Sequence, residues 1–276
     1  MDRLSSRQNP IVKRFRDLAR GRAGDGWVLL DGEHLIREAQ ASGARVEVAA
    51  FCGPVDADLL PPLAVELERA GSRVIAVTEP VLAAMSPVRE PSGVVAIAAL
   101  GSTPLADAIA ARRGSHPQLV LMLSDVQDPG NVGAIIRAAE GCGASAVVAG
   151  DGSADPFGWK ALRGAMGSTF RLPVAARASL PTAVRLAQEQ GLRVFATVAR
   201  GGRPLPECDL RGSMAILLGG EGAGLSQDLI EMADERLSIP MEAPVESLNV
   251  AVAAALTVYE AARQRRATVR DGDERL

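Results

Sequence analysis

The sequence predicts an α/β protein with two domains. Short apolar runs typical of strands alternate with segments of helical period along the whole chain, and this alternation favours layered α/β folds. The length of 276 residues suits about two domains. A stretch of turn-forming residues near Pro104 and Gly114 separates them. We therefore expect a first domain over residues 1–100, a linker over 101–118, a second domain over 119–266 and a polar tail over 267–276.

Composition and charge are those of an ordinary globular protein, with 47% hydrophobic and 23% charged residues. The net charge of −3 gives no global indication of nucleic-acid binding. Residues 1–22 differ, because seven basic side chains against two acidic ones give this segment a net charge of +5. Such an arm is either a phosphate-binding surface or a solvated helix face.

Cysteine and histidine usage excludes several classes of site. The three cysteines, Cys52, Cys142 and Cys208, are distant from one another, so neither a disulfide framework nor a Cys-x-x-Cys metal motif is expected. With His34 and His116 as the only histidines, no metal centre is expected either. The polar N-terminus lacks a signal-peptide pattern, and no apolar run reaches the roughly 18 residues that span a bilayer. These features predict a cytoplasmic protein that has no membrane segment.

The first domain shows no catalytic pattern, and its elements follow from period and turn signals. Helices are predicted over 9–20, 32–41, 63–70 and 81–85, and strands over 27–30, 46–52, 73–77 and 93–99.

The second domain opens with a continuous apolar strand over 119–125, of the kind buried in parallel sheets. Further strands are predicted over 145–149, 170–175, 192–198 and 236–239, and one more begins at 215. Helices are predicted over 132–140, 156–166, 182–190 and 247–265. In open α/β sheets ligands bind beyond the carboxyl ends of strands, where the turn 126–131 would lie. Arg137, within an otherwise apolar helix, either reaches water at its edge or points into a site.

Two later segments also contain unusual residues. Four glycines surround Glu221 in the segment 219–224, which implies close approach of the backbone to a ligand or to another segment. As a dinucleotide fingerprint the spacing is poor. The final helix is apolar on nearly every face, which predicts burial on all sides. Glu246 and Ser247 suit its N-terminus, and Ser247 and Asn249 either only cap the helix or serve a site.

Three segments together resemble the motifs of the SpoU (TrmH-type) family of SPOUT RNA methyltransferases. They are 125–137, with Asn131 and Arg137 at the family spacing, 217–226, and 239–249. The segment 163–173 is a weaker fourth match. The first domain is similar to the L30e-like substrate-binding domain of that family in its order of elements and in the stretches 7–13 and 32–35.

The resemblance implies a fold and a cofactor. The first domain would be an L30e-like α/β/α domain, and the second a SPOUT α/β domain with a deep C-terminal trefoil knot, a rare exception to ordinary chain topology. The cofactor would be S-adenosylmethionine, held largely by backbone. The cofactor-binding residues implied by the motifs are Gly219, Gly220, Ile239, Met241 and Leu248.

The resemblance also implies a reaction, methyl transfer to a ribose 2′-hydroxyl of RNA, in a homodimer. The catalytic residues would be Arg137, Asn131, Glu221, Ser247 and Asn249, and the RNA-binding residues Arg7, Lys13, Arg14 and Arg163. The resemblance makes Arg137 the candidate for activating the 2′-hydroxyl, either as a base or as a phosphate clamp. Because arginine stays protonated and is a poor base, holding a phosphate and stabilising developing negative charge is the physically easier role.

The matched motifs depart from the family pattern at Ala243, where glycine is frequent, and at Ala165 and Ala251, where serine is frequent. None of these positions is assigned to the chemistry. We expect ribosomal RNA as substrate, with transfer RNA as the alternative. A non-catalytic RNA-binding or ribosome-assembly factor that keeps the knot, and a nicotinamide-dependent oxidoreductase, are hypotheses from other classes.

Overall fold

The computed structural model describes residues 2–22, 26–53, 61–114 and 116–273, with the side chains described as far as residue 267. The chain divides into two compact units. One comprises Met1–Gly101 together with Phe157–Arg171, and the other comprises Ser102–Pro156 together with Leu172–Leu276. Residues 274–276 of the predicted tail lie outside the described residues.

Strands and helices alternate along the chain, as the sequence predicts. The strands are β1 (Asp2–Leu4), β2 (Trp27–Asp31), β3 (Val46–Cys52), β4 (Arg73–Val77), β5 (Val94–Ala99), β6 (Leu119–Ser124), β7 (Ala146–Gly150), β8 (Val174–Ala178), β9 (Arg193–Thr197), β10 (Arg203–Pro204), β11 (Met214–Gly219) and β12 (Glu235–Ser238). The helices are α1 (Pro10–Ala19), α2 (Glu33–Ala41), α3 (Pro62–Arg69), α4 (Glu79–Met85), α5 (Leu105–Ala110), α6 (Pro129–Gly141), α7 (Trp159–Ala165), α8 (Ser168–Arg171), α9 (Leu180–Glu189), α10 (Gln227–Met232) and α11 (Val250–Asp273).

The first unit is a five-stranded mixed sheet with the order β1-β4-β3-β5-β2 and a hydrophobic core on each face. Alternation along β2 sends Val28 and Leu30 to one core and Leu29 to the other. Helices α2 and α3 cover the first face, and α1 and α4 the second. The layers are therefore α/β/α, as predicted for this domain.

The second unit is a seven-stranded sheet with the order β10-β12-β9-β11-β6-β7-β8, in which all pairs are parallel. Helices α5, α9 and α10 bury their apolar faces in one core with the central strands. Helix α11 packs against α6 and β11. Because β6 adjoins β7 on one side and β11 on the other, the chain reverses its direction of winding at β6. The predicted α/β fold class is confirmed, and the trefoil knot stays a prediction.

Two predicted elements differ from the structure. The strand predicted over 170–175 is instead helix α8 followed by strand β8, and Phe170 packs onto the core of the first unit. Phe170 therefore belongs to a core outside the second sheet, whereas Ala175 packs in the core of the second unit, and the local period cannot reveal this division. The final helix begins at Val250 and continues to Asp273, beyond the predicted end at Arg265.

The prediction that α11 is buried on all sides is wrong. Val252, Leu256 and Tyr259 are 47%, 43% and 57% exposed, and their spacing of four and three residues places them on one helix face. Val258 and Ala261 on another face are fully buried. An apolar helical segment in a sequence is compatible both with burial within the chain and with an exposed apolar surface, so the sequence alone does not decide between them.

Arg265 anchors α11 to the loops that lead into the two central strands. Its guanidinium donates hydrogen bonds to the carbonyl oxygens of Pro117, Gln118, Leu210 and Gly212 at 2.8–3.3 Å. Burial lowers the pKa of Arg265 from its ordinary value, because the surroundings disfavour the charged form. The sequence places residues 264–265 at the end of the helix. In the structure these two polar residues instead hold α11 in place through tertiary contacts.

Within the described residues, no helix combines the length and the hydropathy that crossing a membrane requires. The same residues contain no cluster of three or more histidine, cysteine, aspartate or glutamate side chains placed to hold a metal ion.

Candidate active site

The candidate site lies at the edge of the second sheet where the parallel strands end. A cavity of about 540 Å³ opens there, within the range of about 300–1,000 Å³ usual for small-molecule sites. Its walls are the segments that follow β9, β11 and β12, together with the first turn of α11. Every cofactor-binding residue implied by the sequence motifs lines this cavity: Gly219, Gly220, Ile239, Met241 and Leu248.

The glycine-rich segment after β11 is packed too closely for side chains. A Cβ atom at Gly219 would lie 2.4 Å from the backbone carbon of Gly224, and one at Gly220 would lie 1.8 Å from the carbonyl oxygen of Asp125. Both obstacles are backbone atoms, which cannot move aside as a flexible side chain can. Gly220 also donates from its backbone N–H to the carbonyl oxygen of Ser124 over 2.7 Å. Glycine at these positions therefore lets the wall of the cavity approach the end of β6.

Three polar side chains from the three motifs form one hydrogen-bonded group beside the cavity. Asn131 donates from Nδ2 to Oε1 of Glu221 over 2.6 Å. Asn249 donates from Nδ2 to the same oxygen over 3.1 Å and to Oδ1 of Asn131 over 3.1 Å. Glu221 and Asn249 also line the cavity. The carboxylate thus accepts from two amides, which fixes the orientation of all three side chains.

Helix ends hold two members of this group in place. Asn249 Oδ1 accepts from the backbone N–H groups of Ala251 and Val252, at 2.9 and 3.3 Å, so Asn249 caps α11. The sequence had suggested Glu246 and Ser247 for the start of this helix. At the start of α6, Asp128 Oδ1 accepts from the backbone N–H of Asn131 over 2.8 Å. Because the side-chain oxygen of Asn249 accepts hydrogen bonds from the start of α11, its amide nitrogen is oriented toward the site and donates there.

The two remaining predicted catalytic residues differ in position. Ser247 is exposed and lines the cavity. Arg137 is exposed on α6, six residues beyond Asn131, which corresponds to about 9 Å along the helix axis. It does not line the cavity, and no hydrogen bond links it to another residue in the described part of the chain. Asn131, which belongs to the same sequence motif as Arg137, donates to Glu221.

The predicted RNA-binding residues all belong to the first unit. Arg7 donates from Nε to the carbonyl oxygen of Pro80 over 3.0 Å. Arg14 is engaged by Glu47. Lys13 on α1 and Arg163 on α7 are exposed.

Sequence reasoning missed one wall of the cavity. Thr197, Val198 and Ala199, at the end of β9, lie along it. The sequence contained a signal for these residues. They end a predicted apolar strand of a parallel sheet, and ligands bind at the carboxyl ends of such strands. Beyond them, Arg200 forms an exposed ion pair of 3.3 Å with Glu246 in the segment that precedes α11.

Comparison with known proteins identifies the family. Residues 118–259 match the family model for the SpoU rRNA methylase family, and residues 9–96 match that for the MRM3-like substrate binding domain. The chain is 36% identical over 261 residues to the 23S rRNA (guanosine(2553)-2′-O)-methyltransferase RlmP of Bacillus subtilis, covering 94% of this chain and 98% of that protein.

Solved structures give the same result. An AdoMet-bound rRNA methyltransferase from Sinorhizobium meliloti superposes with a TM-score of 0.83 at 28% identity, over 95% of this chain and 97% of that one. The SpoU methyltransferase AviRb from Streptomyces viridochromogenes, in complex with AdoMet, gives a TM-score of 0.81 at 28% identity, over 94% and 100% of the two chains.

The fold and the site thus define a two-domain RNA methyltransferase with a substrate-binding domain ahead of the catalytic one. The chain belongs to the SpoU rRNA methylase family. The family predicted from the three motifs is confirmed, whereas the roles of the individual site residues stay predictions.

Proposed function

We propose that this protein transfers the methyl group of S-adenosylmethionine to a ribose 2′-hydroxyl of ribosomal RNA. The observation that carries the proposal is the group formed by Asn131, Glu221 and Asn249 at the wall of a largely apolar cavity. The similarity to RlmP, an rRNA 2′-O-methyltransferase by name, and to two AdoMet-bound structures supports it.

The residues of the cavity fit S-adenosylmethionine. Apolar side chains such as Val198, Leu237 and Ile239 suit the adenine ring. The close approach of the backbone at Gly219 leaves N–H and C=O groups as the polar partners of the cofactor. When bound, S-adenosylmethionine supplies an electrophilic methyl group. We propose that Gly219, Gly220, Ile239, Met241 and Leu248 hold it.

The polar group would act by orientation. Glu221 keeps the amides of Asn131 and Asn249 fixed, and Asn249 and Ser247 present hydrogen-bonding groups to the ribose and its phosphate. Holding the hydroxyl oxygen in line with the methyl group can account for a large share of the rate enhancement in a methyl transfer of this kind.

Arg137 would supply the charge. Its guanidinium, exposed and without a hydrogen-bond partner in the described part of the chain, is available for a phosphate of the RNA. A guanidinium stays protonated at neutral pH, so it cannot take the proton of the hydroxyl, which passes to water, but it can stabilise the negative charge that develops on the ribose oxygen. We therefore assign Arg137 to charge stabilisation.

A homodimer is part of the proposal. Five large hydrophobic side chains are exposed in the described part of the chain, and three of them, Val252, Leu256 and Tyr259, share one face of α11. Clustered exposed apolar side chains mark interaction surfaces far more often than single ones do. A second copy of the chain would cover this face.

A transfer assay tests the proposed function directly. Tritium-labelled S-adenosylmethionine is incubated with the protein and with separate pools of large ribosomal, small ribosomal and transfer RNA from cells that lack the gene, followed by nuclease digestion and nucleoside analysis. We expect a labelled 2′-O-methyl nucleoside from 23S RNA, with guanosine as the first nucleoside to examine because RlmP modifies a guanosine by name. The cytoplasm stays the predicted compartment, where an enzyme that acts on ribosomal RNA would meet its substrate.

The other outcomes are equally informative. A labelled ribose in transfer RNA alone would favour the alternative substrate, and a labelled base would contradict the proposed reaction. Absence of transfer to any RNA or assembling ribosomal particle, together with RNA binding, would favour the assembly factor. Calorimetric titration with S-adenosylmethionine and with NAD separates the oxidoreductase hypothesis from both.

A further inference from the structure

The first unit contains a tryptophan whose ring lies under two guanidinium groups. Trp27 begins β2, Arg14 lies on α1, and Arg45 directly precedes β3. The guanidinium carbons of Arg14 and Arg45 lie 4.9 and 5.4 Å from the centroid of a Trp27 ring, within the distance of about 6 Å at which a cation is attracted to an aromatic face. One half-buried ring therefore holds two positive charges near each other.

One carboxylate, Glu47, forms hydrogen bonds with Arg14 and acts on Arg45 only through its charge. Arg14 donates from both terminal nitrogens to the two oxygens of Glu47, over 2.6 and 2.7 Å. This bidentate pair raises the pKa of Arg14 and lowers that of Glu47 from their ordinary values. Arg45 is exposed and has no hydrogen bond to a carboxylate in the described part of the chain.

A local irregularity of the sheet aims Glu47 at Arg14. The register between β3 and β5 shifts between Val46 and Val48. Val46 packs in the core beneath α2 and α3, whereas Val48 packs in the core beneath α1 and α4. The extra residue, Glu47, belongs to neither core, so its side chain is free to reach α1. The ion pair is thus built into the strand rather than being a chance surface contact.

The surroundings of this cluster are strongly basic. Between Arg7 and Arg22 there are six basic side chains and one acidic one, a net charge of +5 in a chain whose overall charge is −3. Elsewhere in the same unit, Arg37, Arg73 and Arg171 are each paired with a carboxylate. Net positive charge is therefore concentrated on and beside α1.

We propose that Trp27, Arg14, Arg45 and Glu47 form a phosphate-binding platform for the backbone of the RNA substrate, with Arg45 as the residue that contacts phosphate. The inference rests on the proposed function and adds Arg45 to the RNA-binding residues predicted from the sequence. Because the Trp27 ring already orders the Arg45 side chain, less conformational entropy is lost when a phosphate binds. Arg14 acts as a positioning residue, since both of its terminal nitrogens donate to Glu47.

The experiment measures binding of the full-length protein to transcribed 23S RNA over a range of salt concentrations. Replacing Arg45 by alanine should reduce the slope of log affinity against log salt by about one, the value for one lost phosphate contact. Its binding defect should be about threefold larger at about 50 mM than at about 200 mM salt. Arg45→Lys should recover part of the affinity, and Trp27→Phe should weaken binding less than Arg45→Ala.

The matched control is Arg69→Ala, which removes an exposed arginine from α3 on the opposite face of the same sheet. A second variant, Glu47→Gln, removes the compensating carboxylate and should strengthen binding. Thermal unfolding of each variant checks that the fold is kept. Equal binding by Arg45→Ala and the unchanged protein, or equal losses for Arg45→Ala and Arg69→Ala, would overturn the platform.

Methyl transfer at saturating RNA separates this inference from the proposed function. The platform predicts an unchanged kcat for Arg45→Ala, with the loss confined to KM. If the unchanged protein methylates 23S RNA but binding does not depend on Arg45, the platform is wrong and the function stands. If binding depends on Arg45 but no RNA is methylated, the function is wrong and the platform stands.

Discussion

Asn131 donates a hydrogen bond of 2.6 Å from Nδ2 to Oε1 of Glu221, although 90 positions separate the two residues in the sequence. Asn131 lies at the start of α6, and Glu221 in the glycine-rich segment after β11. They meet because β6 and β11 are adjacent parallel strands in register, with Ser124 opposite Gly219, so that their carboxyl ends coincide. Asn249 completes the group from the start of α11.

Loss of the Asn131 amide should reduce the rate of methyl transfer with little effect on cofactor affinity. Asn131 orients Glu221 and Asn249 but does not line the cavity. We expect Asn131→Ala to lower kcat by about 100-fold, as for a catalytic group misplaced by an ångström. Calorimetry should give an S-adenosylmethionine Kd close to that of the unchanged protein. Gln127→Ala, an exposed change in the same turn, is the control, and equal rates for the two variants would contradict the role.

Arg137 should affect chemistry far more than RNA affinity. Removing one group that stabilises transition-state charge costs about 100- to 1,000-fold in rate, so we expect Arg137→Ala to lose that much in single-turnover assays, while filter binding detects only the small loss of affinity that one phosphate contact contributes. Arg137→Lys should be intermediate because it keeps the charge without the planar donors. Arg185→Ala, an exposed arginine on α9, controls for net charge. A near-normal rate for Arg137→Ala would show that the site is assigned incorrectly.

Gly220 should tolerate no side chain. Its Cβ would lie 1.8 Å from the carbonyl oxygen of Asp125, so Gly220→Ala must displace the backbone of one segment. We expect a loss of about 1–3 kcal/mol in the free energy of unfolding, measured in urea, and weaker binding of S-adenosylmethionine. Gly212→Ala is the matched control, because a Cβ there meets nothing within 4 Å. Equal stability of the two variants would contradict the packing argument.

Arg265 should contribute strongly to stability through its four carbonyl acceptors. Arg265→Met keeps much of the side-chain volume but removes every donor, and we expect it to cost about 2–4 kcal/mol in the free energy of unfolding. The neighbouring Arg266 is exposed, and Arg266→Met should be nearly neutral. Thermal or urea unfolding of the two variants measures the difference in stability. A similarly small loss for both variants would contradict the prediction and would mean that water replaces the lost donors.

The exposed face of α11 should control assembly. Leu256→Asp places a charge among Val252 and Tyr259, where a second copy would bury it at high cost. Sedimentation should find a dimer for the unchanged protein and a folded monomer for Leu256→Asp. Ala41→Asp adds the same charge at an exposed site on α2 and should leave the dimer intact. A monomeric unchanged protein at micromolar concentration would remove the basis for the dimer.

Much of the fold was predictable because its signals are local. The run Leu119–Ser124 is apolar throughout, as a strand buried on both faces must be, and the helices of the first unit show a clear apolar stripe. The start of the strand predicted over 170–175 was wrong, because Phe170 belongs to the first unit and packs on its core, whereas the chain enters the second unit only at Leu172. Local period reports that a side chain is apolar, but not which core receives it.

For the candidate site, the sequence alone determined which residues to examine. Glycines around Glu221, Asn131 in a turn after an apolar strand, and Asn249 before an apolar helix are each unusual in their own segment, and the motif resemblance joined them. Only the tertiary structure showed that these three side chains share hydrogen bonds, that Val198 lines the cavity, and that one face of α11 is exposed. The physical reason is that local sequence specifies conformation and polarity over a few residues, whereas the order of strands in the parallel sheet decides which distant ends meet.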